Sequence, residues 1–305
     1  MNRAGFLSKV VSGLMCLSYQ VVPAEESVGT TFCSYNLRNW LQMERNSVTG
    51  EKLAPAPKPE EEKQRVVEIL VRIRPDVLGV CEIGDENDLR DFQTRLKKAG
   101  VNLPHFEMTR GGDPVRSLAL LSRHPITERR SQSDLTYQIG AKILPMQRGI
   151  LDATVQLSEG LAVRMIGVHL KSKREVTEAD EGLMRRAEAS LLRSHLNSIF
   201  DKQNNPLILC YGDFNEYRNE PAIMEVMGPR SSPHYLHELP LRDSNGLVWT
   251  HFWDAADVYS RLDFIFCSRA LRPMIDLRRG YIYSVRDFDK ASDHRPLVIK
   301  IQPKD

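Results

Sequence analysis

Six apolar runs carry, at or near one end, side chains that strand physics does not select. Asn36 follows TFCSY, Glu82 follows DVLGVC and His169 follows VRMIGV. Asp213 and Asn215 follow LILCYG, Asp263 interrupts SRLDFIF, and the pair Asp293-His294 precedes PLVIKI. A single carboxylate or amide at a strand end is ordinarily a turn former or a cap. A whole set, all of them oxygen or imidazole donors, is harder to explain as turns, because strand ends and the loops after them are where α/β scaffolds place reacting groups. The sharpest local signal is Gly212-Asp213-Phe214-Asn215. Glycine permits a tight exit from the strand, and Asp and Asn two positions apart point the same way. Donors of the Glu, Asp and Asn type suit a hard cation such as Mg²⁺ or Ca²⁺ and not zinc.

These residues need a scaffold, and the pattern between them alternates. Thr31–Tyr35 reads as a strand, followed by a loop in which Pro55, Pro57 and Pro59 exclude regular structure. Glu60 to Ile73 places Val66, Val67, Ile69, Leu70 and Ile73 on one helical face and stops before Pro75; Asp76 to Ile83 is a buried-strand run. Leu89, Phe92 and Leu96 give a second helix over 87–99, with Gly100 as its stop. The middle is strand-rich, at 117–122, 150–157 and 161–169, the last two joined by Ser158-Glu159-Gly160 as a hairpin turn. Glu178 to Phe200 is the longest helix, with Leu183, Leu191, Leu192, Leu196 and Ile199 read as facing inwards; strands follow at 207–211, 262–267, 281–285 and 297–301. Helices alternating with strands and antiparallel hairpins predict an α/β fold of two packed sheets with helices outside.

The chain has 305 residues, 41% hydrophobic and 27% charged, which excludes wholesale disorder and a polytopic membrane protein. Lys+Arg 42 against Asp+Glu 40 gives a net charge of +2, so attraction to a polyanion would rest on a local patch. Basic Met1-Asn2-Arg3, an apolar run from Val10 to Tyr19 and Val22-Pro23-Ala24 predict a signal peptide over 1–24 and an exported protein, periplasmic or secreted. Lys9 departs from that pattern, and a plain amphipathic helix is the alternative. The run falls short of the roughly 20 residues that span a bilayer. Gly13-Leu14-Met15 before Cys16 is a poor lipid-attachment signal. Residues 25–305 are read as one domain, neutral after loss of Arg3 and Lys9. Its cysteines, Cys33, Cys81, Cys210 and Cys267, lie in or beside apolar runs with no CxxC, and are read as buried thiols in preference to disulfides.

Taken in order, YNLRNW, CEI, GVHLKSK, YGDFNE, SRLDFIF and SDHRP resemble the endonuclease/exonuclease/phosphatase superfamily, which includes pancreatic-type deoxyribonucleases, secreted bacterial nucleases and sphingomyelinases. The resemblance runs from about Thr31 to Ile301. It implies a four-layered α/β/β/α sandwich with two packed mixed sheets and a Mg²⁺-dependent phosphoester hydrolase, with Mn²⁺ as a second candidate ion. Carried over position by position, it implies Glu82, Asn36 and Asp293 at the metal. His294 becomes the general base that activates water, oriented by Asp263. Asp213 and Asn215 would orient the nucleophile or stabilise the pentacovalent phosphorus. His169 would hydrogen-bond a phosphate oxygen or protonate the leaving group. Glu216 and Glu86 match no role and are read as solvated acids.

Arg38, Arg148, Lys171 and Lys173 neighbour these motifs and are read as candidate phosphate contacts. The expected partner is a phosphoester, foremost nucleic acid, with no stable membrane insertion and no obligate protein partner. A phosphatase or phosphodiesterase acting on a phospholipid, inositol phosphate or small phosphoester is the alternative. A binding module that kept the scaffold is the rival from another class, and the complete motif set argues against it. Trp249 and Trp253 form either a substrate rim or packing under a loop.

Overall fold

A computed structural model describes residues 29–46 and 51–303; the signal peptide read over 1–24, and Cys16 with it, lies outside them. Along the chain come β1 (Thr30–Trp40), β2 (Met43–Asn46), β3 (Lys52–Ala56), α1 (Glu60–Ile73), β4 (Val77–Ile83) and α2 (Glu86–Lys98). Six further strands follow: β5 (His105–Thr109), β6 (Ser117–Ser122), β7 (Ile126–Arg129), β8 (Thr136–Ile139), β9 (Lys142–Pro145) and β10 (Leu151–Ser158). Next are β11 (Leu161–His169), α3 (Glu181–Lys202), β12 (Ile208–Asp213), α4 (Pro221–Met227), β13 (His237–Glu238), β14 (His251–Trp253) and β15 (Val258–Ser260). The last are β16 (Asp263–Cys267), β17 (Tyr281–Ile282) and β18 (Leu297–Ile301).

Two six-stranded mixed sheets result, ordered β17-β18-β1-β4-β6-β5 and β13-β16-β12-β11-β10-β7. β1 runs parallel to β4 and β11 parallel to β12, while the remaining pairs within the two sheets are antiparallel. Alternate residues of each strand serve different cores. Phe32, Cys81, Leu118, Leu120 and Ile299 meet Ala153, Val163, Met165, Leu209 and Ile265 between the sheets. Cys33, Tyr35, Leu78 and Val80 pack instead against Val66, Leu70, Phe92 and Leu96 of α1 and α2. Ile166, Val168, Cys210 and Phe264 pack against Leu192, Leu196, Ile223 and Val226 of α3 and α4. The order is therefore helices, sheet, sheet, helices. Burial on both faces explains why the strands read as continuous apolar runs and not as alternation.

The sheets approach closely around Tyr211, whose ring lies against Phe32 at 4.8 Å between centroids. A Cβ on Gly79 of the opposite sheet would stand 2.0 Å from that ring. Gly79→Ala is therefore expected to force the sheets apart and lower stability by about 1–3 kcal/mol. Urea denaturation checks this: the midpoint should fall with an unchanged slope.

The structure corrects three local expectations. Pro55 does not exclude regular structure. It lies in β3, in a two-stranded ribbon with β2 whose register shifts between Met43 and Arg45, and there its missing N–H is tolerated. Leu183 is exposed, because the buried stripe of α3 runs through Met184, Glu188, Leu192, Leu196 and Ile199 and position 183 lies a third of a turn away; Leu191 is half-buried. The strand expected over 281–285 shortens to Tyr281–Ile282. All four described cysteines are free and buried, and burial alone pushes the Cys33 thiol well up.

Candidate active site

The site gathers where both sheets end on the same side. In the second sheet, register does the work: His169 of β11 pairs with Asp213 of β12, and Asp213 pairs with Asp263 of β16, giving a row across three strands. Gly212 stands at φ 139°, and a Cβ there would lie 1.9 Å from the Val168 carbonyl oxygen, so this position in GDFN must be glycine. In the first sheet, β1 and β4 both lose regular pairing at this end. Arg38 and Asn39 adopt φ 49° and 60°, Glu82 adopts 61°, and Asn215 across the cleft adopts 50°. Such left-handed residues are uncommon outside glycine, and here they turn the Arg38 and Asn39 N–H groups towards Asn36 and Glu82. The turned backbone donates Asn39 N–H to Glu82 Oε2 (3.0 Å) and Arg38 N–H to Asn36 Oδ1 (3.0 Å). Ser292 closes the site from the turn before β18. Its hydroxyl donates to the Asn36 carbonyl (2.7 Å) and accepts from the His294 N–H (3.1 Å).

Side chains from both sheets then meet. His294 Nδ1 lies 2.8 Å from Asp263 Oδ2, and its Nε2 lies 3.7 Å from Asp213 Oδ2. Asn36 Nδ2 donates to Asp213 Oδ2 at 3.1 Å, and Asp213 Oδ1 accepts from the Asn215 N–H at 2.9 Å. His169 Nε2 stands 3.5 Å from Asp213 Oδ2 and 4.0 Å from Glu82 Oε1. All but Glu82 are buried. Burial pushes the Asp213 carboxyl up to about 7; the charge of His294 opposes this, while Asp263 and Glu82 reinforce it. Burial also works against a charged His294, but the carboxylates of Asp263 and Asp213 outweigh it and raise its pKa well above that of a free histidine. His169 goes the other way: burial, Arg148, His294 and Arg116 hold it neutral.

The sequence pattern of the Endonuclease/Exonuclease/phosphatase family matches residues 34–294, from the strand that carries Asn36 to the general-base candidate itself. The chain belongs to this family. No curated protein matches it in sequence. Solved structures share the fold. An endonuclease/exonuclease/phosphatase family protein from Leptotrichia buccalis is 16% identical with a TM-score of 0.60, over 90% of this chain and 99% of that one. The human Nocturnin catalytic domain, solved with a bound sulfate anion, is 19% identical with a TM-score of 0.60, over 89% and 93%. Sphingomyelinase C from Streptomyces griseocarneus is 12% identical with a TM-score of 0.58, over 90% and 99%.

Members of the endonuclease/exonuclease/phosphatase family are typically metal-dependent phosphoesterases, and this site fits a divalent cation. Glu82, Asp213 and Asp263 crowd negative charge into one cleft, where Asp263 and Glu82 add to the burial that raises the Asp213 carboxyl. Glu82 is pinned through Oε2 only, leaving Oε1 facing inwards, and Asn36 adds an amide oxygen. Glu82 and Asn36 would hold the ion, and an oxygen donor set suits a hard cation.

The remaining expected residues divide. Asp293 lies against Arg38 (3.9 Å) and His251 (4.0 Å), and Arg38 is exposed at the rim. Arg148 and Lys171, expected at the phosphate, are both engaged within the protein. Arg148 is buried and paired with Asp113 at 3.2 Å. The Lys171 ammonium is spent on the carbonyls of Ser172 and Arg174. Lys173 pairs with Glu216, which is not a solvated acid: it is buried between Lys173 (2.6 Å) and Arg185 (2.8 Å). Trp249 is packing, stacked under the Arg295 guanidinium at 3.4 Å, while Trp253 is exposed. Three positioning groups escaped sequence reasoning. Buried Lys58 donates to the Arg38 carbonyl (3.2 Å) and Arg116 donates to Asn39 Oδ1 (2.8 Å). Buried Glu188 accepts the N–H groups of Gln147 and Lys171. Only Glu188 left a signal, an acid on the apolar stripe of α3.

Proposed function

We propose that the protein is a divalent-metal-dependent phosphodiesterase of nuclease type, exported from the cell, in which His294 is the general base. The observation that carries this reading is the 2.8 Å contact of His294 Nδ1 with Asp263, which leaves Nε2 free in the cleft that Glu82 and Asn36 share. Asp263 fixes the tautomer with the proton on Nδ1, so Nε2 presents the lone pair that takes a proton from water. Asp213 and Asn215, tied to each other and to Asn36 and the Leu170 carbonyl, form the polar floor that orients the attacking water. His169 is neutral and its Nδ1 is buried without a partner. Its Nε2–H therefore faces the cleft, suited to donating a hydrogen bond to a phosphoryl oxygen and not to delivering a proton. The bound cation supplies charge to offset that developing on the phosphoryl oxygens.

A second reading, a phosphoester with an apolar arm, is favoured by one feature. The β14–β15 hairpin joins His294 through a backbone bridge at His251 and exposes Trp253, Val258 and Tyr259. The two readings separate in one experiment. The purified chain from residue 25 is given supercoiled plasmid, a bis-aryl phosphodiester, an aryl phosphomonoester and sphingomyelin vesicles, with Mg²⁺, Mn²⁺ or EDTA. Metal-dependent nicking, absent in Asp213→Ala, supports the nuclease. Turnover of vesicles or monoester without nicking replaces it with the second reading.

A further inference from the structure

We propose that His251, Asp293 and His294 form a second cation site, which takes Zn²⁺ and, by occupying the general base, switches the enzyme off. The inhibitory half rests on His294 being the base; the binding half does not.

The backbone builds this cluster. His251 forms an antiparallel bridge with His294, and the Phe252 N–H donates to the Asp293 carbonyl at 2.9 Å, so β14 is laid along the Asp293-His294 turn. One ligand atom of each of the three residues lies within 4.8 Å of the other two. The imidazole rings of His251 and His294 stand 4.7 Å apart, tilted by 52°. Nothing else in the cluster uses His251. Its Nδ1 is buried and has no hydrogen-bond partner, and its Nε2 stops 4.0 Å short of Asp293 Oδ2, too far for a hydrogen bond. Nε2, the ring nitrogen beside Asp293, is therefore open to a cation.

The donor types select the ion. Two imidazoles and a carboxylate are a borderline set that suits Zn²⁺, in contrast to the oxygens of Glu82 and Asn36. Three protein ligands with an open position describe zinc sites that hold water. The side chains of His251 and Asp293 are 18% and 34% exposed, which leaves room for that water and for adjustment. Donors of a tetrahedral zinc site stand roughly 3.3 Å apart, so closure requires rotamer shifts of about 1 Å. Asp263 on His294 Nδ1 supplies the outer carboxylate that zinc-bound histidines ordinarily have. An ion on His294 takes away the lone pair that would accept the water proton.

The test is zinc calorimetry on the chelator-stripped protein in excess Mg²⁺, with inhibition measured on the same preparations and expressed against each variant's own zinc-free rate. One Zn²⁺ per chain is expected, weakened at least ~10–100-fold in His251→Asn, as loss of even an outer-shell partner produces, and unchanged in Glu82→Gln. Zinc should inhibit the wild-type protein at the concentrations of the isotherm and spare His251→Asn. Binding indifferent to His251→Asn, or lost in Glu82→Gln, overturns the site. Binding that depends on His251 without inhibition overturns the switch. If no substrate is turned over, the functional reading fails while the isotherm still decides the site.

Discussion

His294→Ala should lower turnover by at least the ~10²-fold, and up to ~10⁴-fold, that a general base contributes. Asp263→Asn should approach the same loss, because an amide at 2.8 Å no longer holds the proton on Nδ1. The double variant should be no worse than His294→Ala alone, since two residues that act as one unit are not additive. The pH profile gives a second readout. The carboxylates of Asp263 and Asp213 raise the pKa of His294, so turnover should climb as pH rises through that value and the imidazolium loses its proton. Removing Asp263 removes support for the charged form and should move this acid limb to lower pH. The limb belongs to His294 and Asp213 together, which share one cleft and titrate as a pair. Near-wild-type rates in a folded His294→Ala protein, checked by near-UV circular dichroism, would remove His294 from the mechanism.

Glu82→Gln carries the other large effect. The substitution keeps the shape and the acceptor for the Asn39 N–H but loses the charge. Turnover at millimolar Mg²⁺ should fall at least ~10²-fold and recover in part at high Mg²⁺, because weakened binding can be overcome by mass action. The same change should lower the pKa of Asp213, which Glu82 helps to raise. A Mg²⁺ titration of the rate is the measurement, and an unshifted half-saturation point would take Glu82 out of the metal site.

The clearest helix was α2, where capping and stripe agree. Asp85 and Asp88 form a capping box ahead of Leu89, Phe92 and Leu96, and the helix falls where that periodicity placed it. The central strands, such as β4, β6, β12, β16 and β18, were legible because they are buried on both faces, while exposed strands such as β7 and β9 left no such run. The cleft was legible only as a set of strand-end residues, and the order of the motifs, not any one of them, pointed to the family. Register across β11, β12 and β16 is a tertiary property with no local signature, so the row His169, Asp213 and Asp263 could not be read from spacing. The internal partners of Arg148 and Lys171 were hidden for a related reason. A basic residue beside a motif looks the same in sequence whether it faces solvent or, like Lys171, folds back on its own loop. Lys58 was hidden by its prolines, which read only as an irregular loop where the chain buries an ammonium against Glu62 and the Arg38 carbonyl.

The Ser292 hydroxyl bonded to the Asn36 carbonyl joins residues 256 positions apart, and β18, just beyond it, pairs with β1. Closing so long a loop is among the last events of folding, because its entropy must be met before the contact repays it. A chain cut off after β16 keeps Asp213 and Asp263, but it lacks His294 and the strand beside it. The base candidate and the strand that closes the first sheet therefore stand or fall together: a chain truncated before β18 would lose the partner of β1 and, with it, the seat of His294.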